Sequence, residues 1–321
     1  MMNVEELKEK ILSGESLTKD EALALESAEV EELSLAADEI RRRFAGENFD
    51  ACTIINAKSG RCTENCKFCA QSAAYRSGAK EYPLISADEA LREARYNEER
   101  GIARVALVTS GKRLNAAEVD KVCEIYAALR EKCGISLCAS HGLLDYEDFV
   151  KLRAAGVTRI HNNLETSRRN FPNVCTTHTY DGKIAAIKAA VQAGLEVCSG
   201  GIIGMGESFA DRIDMAFELR GLGVKSVPLN VLNPIPGTPY ENLPRIGYDD
   251  VRRAAALFRF VLPDAAIRMA GGRGLLPDKG RAAFSSGANA AISGDMLTTA
   301  GISVEEDMKM VKELGYEVKR P

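Results

Sequence analysis

Beyond residue 45 the chain alternates between short apolar runs and longer stretches of helical periodicity. The runs are ACTIINA, ARVALVTS, ISLCAS, VTRIHNN, LEVCSGG, SVPLNVL, AIRMAGG and AAISG. Between them, apolar residues recur at i, i+3, i+4 and i+7, as with Val119, Val122, Cys123, Tyr126 and Leu129 in the segment 115–130. Eight strand–helix units over roughly 270 residues predict an α/β fold, a (β/α)8 TIM-type barrel. An open doubly wound sheet would show the same alternation. Residues 1–45 read as an N-terminal helical extension. Thr18 and Glu21 fit a capping box there, and a charged helix runs through Arg41, Arg42 and Arg43. No internal repeat or low-complexity linker interrupts residues 46–321, which are expected to form the barrel with a C-terminal segment.

Several runs carry a residue that does not belong in an apolar strand: Cys52, Cys138, His161 with Asn163, Cys198, Asn230 and Arg268. Side chains alternate along a strand, so Cys198 shares a face with Glu196 and opposes Leu195 and Val197. Arg268 likewise opposes Ile267 and Met269. With the apolar partners facing the surrounding helices, the odd residues point into the barrel. Cysteines, an arginine and asparagines in a barrel interior are costly unless they bind something. Barrels of this kind build their active sites at the C-terminal ends of the strands.

Composition narrows the chemistry. Apolar residues are 45% of the chain, and the net charge of −4 with a pI near 5.7 gives no electrostatic footprint for nucleic acid. There is no apolar run of eighteen residues and no signal pattern in MMNVEELKEK, so no membrane role and a cytoplasmic location are expected. Cytoplasmic thiols stay reduced. The nine cysteines therefore point to metal or cluster ligation, with Cys123 and Cys133, on or at the end of an outer helix, left to packing.

Three of the nine stand together in CTENCKFC: Cys62, Cys66 and Cys69, a C-x3-C-x2-C spacing just after the first run. Soft thiolates on a short loop suit a [4Fe–4S] cluster. Three ligands leave one iron open for another molecule, as in a catalytic zinc site. A structural zinc would need a fourth Cys or His, and the nearest are distant in sequence. The stretch CTENCKFCAQS after a barrel's first strand resembles the signature loop of the radical S-adenosylmethionine enzymes. That resemblance implies that S-adenosylmethionine chelates the open iron through its amino and carboxylate groups. The reduced cluster then cleaves the sulfonium to a 5′-deoxyadenosyl radical, which abstracts hydrogen from unactivated carbon.

Further motifs occur in order along nearly the whole chain: HNNLETS, CTTHTYDGK, EVCSGGIIGMGES, SVPLNVLNPIPGTP, AIRMAGGRG and GANAAISGDMLTT. Together they resemble the biotin synthase family, sulfurtransferases that convert dethiobiotin to biotin with sulfur drawn from a second iron–sulfur cluster. The resemblance implies that Cys62, Cys66 and Cys69 hold the radical-generating cluster with Phe68 beside it. Gly200, Gly201 and the GMGE stretch ending at Glu207 would line the S-adenosylmethionine pocket, and Glu165 would hold the cofactor ribose. Asn163 and Asn230 would contact the ribose and the ureido group of dethiobiotin. It also implies a flavodoxin or ferredoxin as electron donor and a homodimer.

Two departures change the expected site. The family's second cluster, a [2Fe–2S], takes three strand cysteines and an arginine. Cys138, Cys198 and Arg268 match, but the second run places Ala106 where a cysteine is needed. Cys52, on the neighbouring first run, is the favoured replacement, with Cys175 in NVCTTHT the alternative. Such a set is expected to hold a four-iron cluster carrying an extra sulfide, as in anaerobes, with [2Fe–2S] the alternative. His161 replaces an asparagine on the substrate side, and His178 stands where an arginine would meet the cofactor carboxylate. The competing readings are another radical enzyme on the same scaffold, of the hydrogenase-maturation or methylornithine type, and an iron–sulfur electron carrier, which would not cleave S-adenosylmethionine.

Overall fold

The computed structural model describes residues 3–318. Ten parallel strands follow in order: β1 (Asn48–Lys58), β2 (Arg104–Thr109), β3 (Ser136–Ser140), β4 (Val157–His161), β5 (Glu196–Cys198), β6 (Gly201–Ile203), β7 (Ser226–Val231), β8 (Ala266–Met269), β9 (Ala290–Ser293) and β10 (Glu317–Val318). Neighbours run β1-β2-β3-β4-β5-β7-β8-β9, and β9 pairs back onto β1 through Asp50↔Ala290 to Thr53↔Ser293. That pairing closes the barrel and excludes the open sheet. Each of the eight apolar runs supplies one position in the ring. The fifth run is broken at Ser199 and Gly200 into β5 and β6, both of which pair with β7. β10 adds a short pairing to the start of β1.

The helices are α1 (Val4–Leu12), α2 (Lys19–Leu23), α3 (Val30–Ala45), α4 (Ala87–Glu99), α5 (Ala116–Lys132), α6 (Tyr146–Ala154), α7 (Phe171–Val174), α8 (Tyr180–Gln192), α9 (Phe209–Gly221), α10 (Tyr248–Val261), α11 (Arg281–Phe284) and α12 (Val304–Glu313). Thr18 caps α2 with Glu21 closing the box, and Ser86/Glu89, Asn115/Glu118 and Ser208/Asp211 do the same for α4, α5 and α9. Each cap satisfies amide donors that the first helical turn leaves free, worth about 1 kcal/mol. On α5 the buried stripe is Val119, Val122, Ile125, Tyr126 and Leu129, while Cys123 is half-buried at its edge. Val119, Val122 and Leu129 are fully buried, which contributes about 2 kcal/mol each.

The N-terminal helices join the outer ring. α3 lies against α10, α1 against α3, and α2 against α9. Their apolar faces merge with the barrel in one continuous core that includes Leu7, Ile11, Leu33, Ile40, Leu257 and Phe258. A buried polar chain ties α5 to the barrel wall: the Tyr126 hydroxyl donates to the Cys138 carbonyl at 2.8 Å and meets His141 Nε2 at 3.1 Å. His141 Nδ1 lies 3.0 Å from the Thr109 hydroxyl. Complete burial pushes the imidazole down to about 3, so the ring is neutral.

Candidate active site

Alternation along β1 turns Asp50, Cys52, Ile54 and Asn56 toward the barrel axis and Ala51, Thr53 and Ile55 into the core. Cys138 on β3, Cys198 on β5 and Arg268 on β8 also face inward. These four groups, Cys52 included, line one cavity of about 400 Å³. The Arg268 guanidinium is 1% exposed and held from several sides. Its Nη1 donates to the Asp50 and Ala291 carbonyls at 2.8 and 2.9 Å and to Cys52 Sγ at 3.1 Å, and Nη2 meets Asp50 Oδ2 at 2.9 Å. Register explains the contact. Arg268 pairs with Ala290, and Ala290 with Asp50. The small Ala290 side chain leaves room between them for an ion pair.

Two more arginines complete this floor. Arg159 Nη1 lies 3.0 Å from Asp50 Oδ2, and Arg104 Nε lies 3.8 Å from Oδ1. Burial opposes ionisation of Asp50, but the three guanidiniums outweigh it and hold the carboxyl down to about 2. Glu196, 2.8 Å from Arg159, is the other acid here. Three guanidiniums against two carboxylates leave one positive charge beneath the thiols. Burial raises Cys52 to about 12 despite Arg268, and raises Cys138 despite Arg159 and Arg104. Cys198 is also opposed by burial, yet His161, Arg268 and Ser226 together bring it down to about 7. Arg104, Arg159 and Asp50 went unnoticed in the sequence, although period-2 counting from Ala106, His161 and Cys52 reaches all three.

The replacement for the lost ligand is displaced. In register Ala106 pairs with Ile54 and Cys138, whereas Cys52 pairs with Arg104. Cys52 therefore lies two residues, about 7 Å along a strand, nearer the N-terminal end than the position facing Ala106. It does not stand at the level of the missing cysteine. Cys175 is elsewhere altogether, after α7, with Sγ 3.4 Å from Asn65 Oδ1 and 3.3 Å from His178 Nδ1. It belongs to the surroundings of the CTENCKFC loop and is absent from the cavity lining.

That loop follows β1 at the mouth. Cys62 is tied in by its N–H to the Gln71 carbonyl at 3.0 Å, and Ala73 N donates back to the Cys62 carbonyl at 2.8 Å. Lys67 N donates to the Val174 carbonyl at 3.0 Å, and Asn65 exchanges hydrogen bonds with Thr176 and Thr177. Phe68 and Cys69 line the cavity, while Cys62 and Cys66 sit just outside its lining. All nine cysteines are free. Among the described residues the donor atoms of Cys62, Cys66 and Cys69 do not converge as for a single ion. Ligands on different irons of one cluster do not converge on a single point, so this arrangement does not count against a cluster.

The remaining expected residues divide. His161, Asn163, Glu165 and Asn230 line the cavity. Glu165 has φ 71°, a strained conformation of the kind that gathers at functional sites. Its backbone is clamped between Gly200 and Ile202 (Glu165 N to Gly200 O 3.1 Å, Ile202 N to Glu165 O 2.8 Å). Asn163 accepts from Gly200 N at 3.0 Å, and Asn230 accepts from Gly271 N at 2.9 Å while donating to the Gly201 carbonyl at 3.1 Å. Both amides thus tie backbone together as well as facing the cavity.

Gly200, Gly201 and Glu207, expected at the cofactor pocket, are not among the residues lining this cavity. A Cβ on Gly200 would meet the Pro228 carbonyl oxygen at 2.0 Å, and one on Gly201 would meet the Glu165 oxygen at 2.5 Å. These glycines let β5 and β6 pass close to β7 and to the Glu165 loop. The Glu207 carboxylate is spent on its own loop, accepting from Gly204 N at 2.9 Å and Met205 N at 2.8 Å and pairing with Arg212 at 2.8 Å. His178 is also committed, its Nδ1 2.7 Å from Glu64 Oε2. Two further cavity residues had no place in the sequence-based expectations: Asn162, whose buried Nδ2 has no partner, and Lys183, 3.9 Å from Glu165. An orphaned buried donor facing a cavity is a ligand contact in waiting.

A closed parallel barrel with a three-cysteine loop at its mouth defines a radical S-adenosylmethionine protein. Residues 57–219 match the Radical SAM superfamily, and residues 228–317 match the Biotin and Thiamin Synthesis associated domain. Over 310 residues the chain is 57% identical to a biotin synthase from Akkermansia muciniphila, covering 97% of each. It is 56% identical to one from Clostridium botulinum, covering 98% of this chain and 99% of the other. The chain belongs to the biotin synthase family. A crystal structure of methylornithine synthase superposes with a TM-score of 0.84 at 20% identity, covering 98% and 97%, a likeness of fold. S-adenosylmethionine and a [4Fe–4S] cluster are the cofactors this membership carries.

Proposed function

We propose that the chain inserts sulfur into dethiobiotin to form biotin, using two iron–sulfur clusters at opposite ends of one cavity. The observation that carries this reading is the deep set of Cys52, Cys138, Cys198 and Arg268, in the same cavity that Phe68 and Cys69 line at the mouth. The buried thiols of Cys138 and Cys198 and the half-buried thiol of Cys52 over a positive floor fit an anionic, sulfur-rich group. The orphaned Nε atoms of Arg104 and Arg268 there favour an occupied site over an empty one. When bound, the mouth cluster supplies the electron that cleaves S-adenosylmethionine, and the deep cluster supplies sulfur.

The chain's own residues then bind and orient. Cys62, Cys66 and Cys69 hold the first cluster, with Phe68 packed beside it. Glu165 and Asn163 take the cofactor ribose, and His178 meets its carboxylate through Nε2, the ring nitrogen that Glu64 leaves unpartnered. Gly200, Gly201 and Glu207 act one step back, by shaping the strand break and loop that hold Glu165 in place. His161, Asn230 and the free Asn162 amide meet the substrate, since an amide both donates to and accepts from a urea. Arg268, fixed by Asp50 and two carbonyls, cannot swing away from the deep site and serves with Cys52, Cys138 and Cys198 as its ligand set. Cys52 stands one inward step along β1 from the position facing Ala106, and this altered ligand set is read as holding a four-iron cluster with an extra sulfide in place of [2Fe–2S]. The reading includes a flavodoxin or ferredoxin donor, a homodimer and a cytoplasmic location. No described helix is long and apolar enough to cross a membrane.

The test is anaerobic turnover of reconstituted protein with dithionite, S-adenosylmethionine and dethiobiotin, scored by mass spectrometry. Biotin together with 5′-deoxyadenosine is expected. Deoxyadenosine without biotin would retain the radical chemistry and sink the substrate. Iron and sulfide analysis of a chain carrying Cys62→Ala, Cys66→Ala and Cys69→Ala decides the deep cluster, with four irons expected and two irons overturning the larger form.

A further inference from the structure

Cys175 is the buried thiol that neither cluster site uses. It lies against Cys66 and His178, and the donor atoms of these three residues all fall within 4.8 Å of one another. Among the described residues no other trio of Cys, His, Asp or Glu side chains meets that condition. Cys175 is 3% exposed, and the His178 and Glu64 side chains are 7% and 8% exposed. Cys175 Sγ to His178 Nδ1 is 3.3 Å. Two ligands at zinc's usual bond lengths stand roughly 3.5 Å apart across a tetrahedral angle, so this edge is already formed.

His178 sharpens the point. Its Nδ1 is 2.7 Å from Glu64 Oε2, while its buried Nε2 has no partner. If the proton sits on Nδ1, cation binding moves it to the unpartnered Nε2 and frees the Nδ1 lone pair beside Cys175. If it sits on Nε2, two lone pairs face each other at Nδ1 and Glu64, a repulsion that a cation removes. Glu64 Oε2 also accepts from the Thr177 hydroxyl at 2.8 Å, which holds the carboxylate in place beside the ring. Two thiols, an imidazole and a neighbouring carboxylate make a set that zinc takes readily.

We propose that Cys66, Cys175 and His178, with Glu64 adjoining, bind a single thiophilic divalent cation, zinc above all, in the chain before its clusters are assembled. Binding takes both sulfurs as thiolates, with the thiol proton that remains between them passing to water, and leaves the metal's oxidation state unchanged. Because Cys66 is shared, the cation blocks loading of the mouth cluster until it is displaced. The cation site stands on this geometry; its effect on loading rests on the reading that Cys66 is a cluster ligand.

The test titrates cobalt(II) into the reduced, cluster-free full chain under anaerobic conditions. One equivalent is expected to give thiolate-to-cobalt charge transfer with the visible bands of tetrahedral cobalt, and zinc is expected to displace it. Cys175→Ser should weaken cobalt binding at least about tenfold, in line with loss of a metal contact, and His178→Gln should do the same should Cys175→Ser fail to fold. Cys62→Ser and Cys69→Ser should leave the signal in place. A spectrum indifferent to both Cys175→Ser and His178→Gln, or one abolished equally by Cys62→Ser and Cys69→Ser, overturns the proposal. Adding zinc before iron and sulfide should slow cluster loading in the parent chain and not in Cys175→Ser. Cobalt binding that behaves as expected while zinc leaves loading untouched supports the cation site and counts against Cys66 as a cluster ligand.

Discussion

The two cysteine sets of this barrel are positioned by different means. At the floor, Cys52, Cys138 and Cys198 lie on β1, β3 and β5, and each side chain's direction follows from strand alternation and interstrand register. Arg268 locks that level through Asp50, with Arg104 and Arg159 around it. At the mouth, Cys62, Cys66 and Cys69 sit on a loop whose shape comes from hydrogen bonds to residues 174–177. A strand-borne set is rigid and tuned by charge. A loop-borne set can hold its ligands before and after cluster binding in different arrangements, and there Cys66 is shared with Cys175. The two sets should therefore fail differently when damaged.

The largest contrast is catalytic. Replacing Cys62, Cys66 or Cys69 with alanine should remove 5′-deoxyadenosine and biotin together, each by at least about a hundredfold, because even groups that merely orient a metal ligand are worth 10–100-fold. Cys52→Ala or Cys138→Ala should remove biotin to the same extent while deoxyadenosine is still formed. Mass spectrometry of both products reads the difference; a floor substitution that also stopped deoxyadenosine would mean that the sets are not separable.

Next in size is the charge lock. Arg268→Met removes one partner of a buried ion pair and should destabilise the cluster-free chain by about 3–5 kcal/mol in urea unfolding. Asp50→Asn added to it should recover part of the loss, since the pair is then removed as a unit.

Acid should act through the wall between the floor and the outer helices. Folding lowers the His141 pKa from 6.5 to about 3. The unfolded chain therefore binds this proton first as pH falls, so the stability from a neutral buried ring is complete above pH 6.5 and drains away below it. Between pH 7 and pH 5 the loss is about 2 kcal/mol, and His141→Gln should flatten that part of the urea-midpoint profile. A parent profile with no such slope sinks this account of the ring. The smallest effect belongs to the cysteines outside both sets. Cys123→Ala and Cys133→Ala, half-buried on and after α5, should each cost below about 1 kcal/mol and leave iron content unchanged by metal analysis.

Much of this architecture is local and could be read from the chain. Apolar runs and 3.6-residue stripes predicted eight strand–helix units, because period and burial are set by neighbouring residues. Alternation turned Cys52, Cys138, Cys198 and Arg268 inward without any knowledge of which strands met. The spacing of Cys62, Cys66 and Cys69 pointed to a cluster loop, and the family resemblance pointed to Ala106 as a position where a ligand was expected. What lay beyond reach depended on contacts distant in sequence. Register put Cys52 opposite Arg104 instead of Ala106, and a one-step offset of that kind leaves no trace in either strand alone. Gly200 and Gly201 answer to the Pro228 and Glu165 carbonyls, which only strand packing brings near. Glu207 folded onto its own loop, and Glu64 found His178 across more than a hundred residues. Periodicity records how a residue faces its own element; only tertiary packing decides what it faces, because that depends on where other elements come to rest.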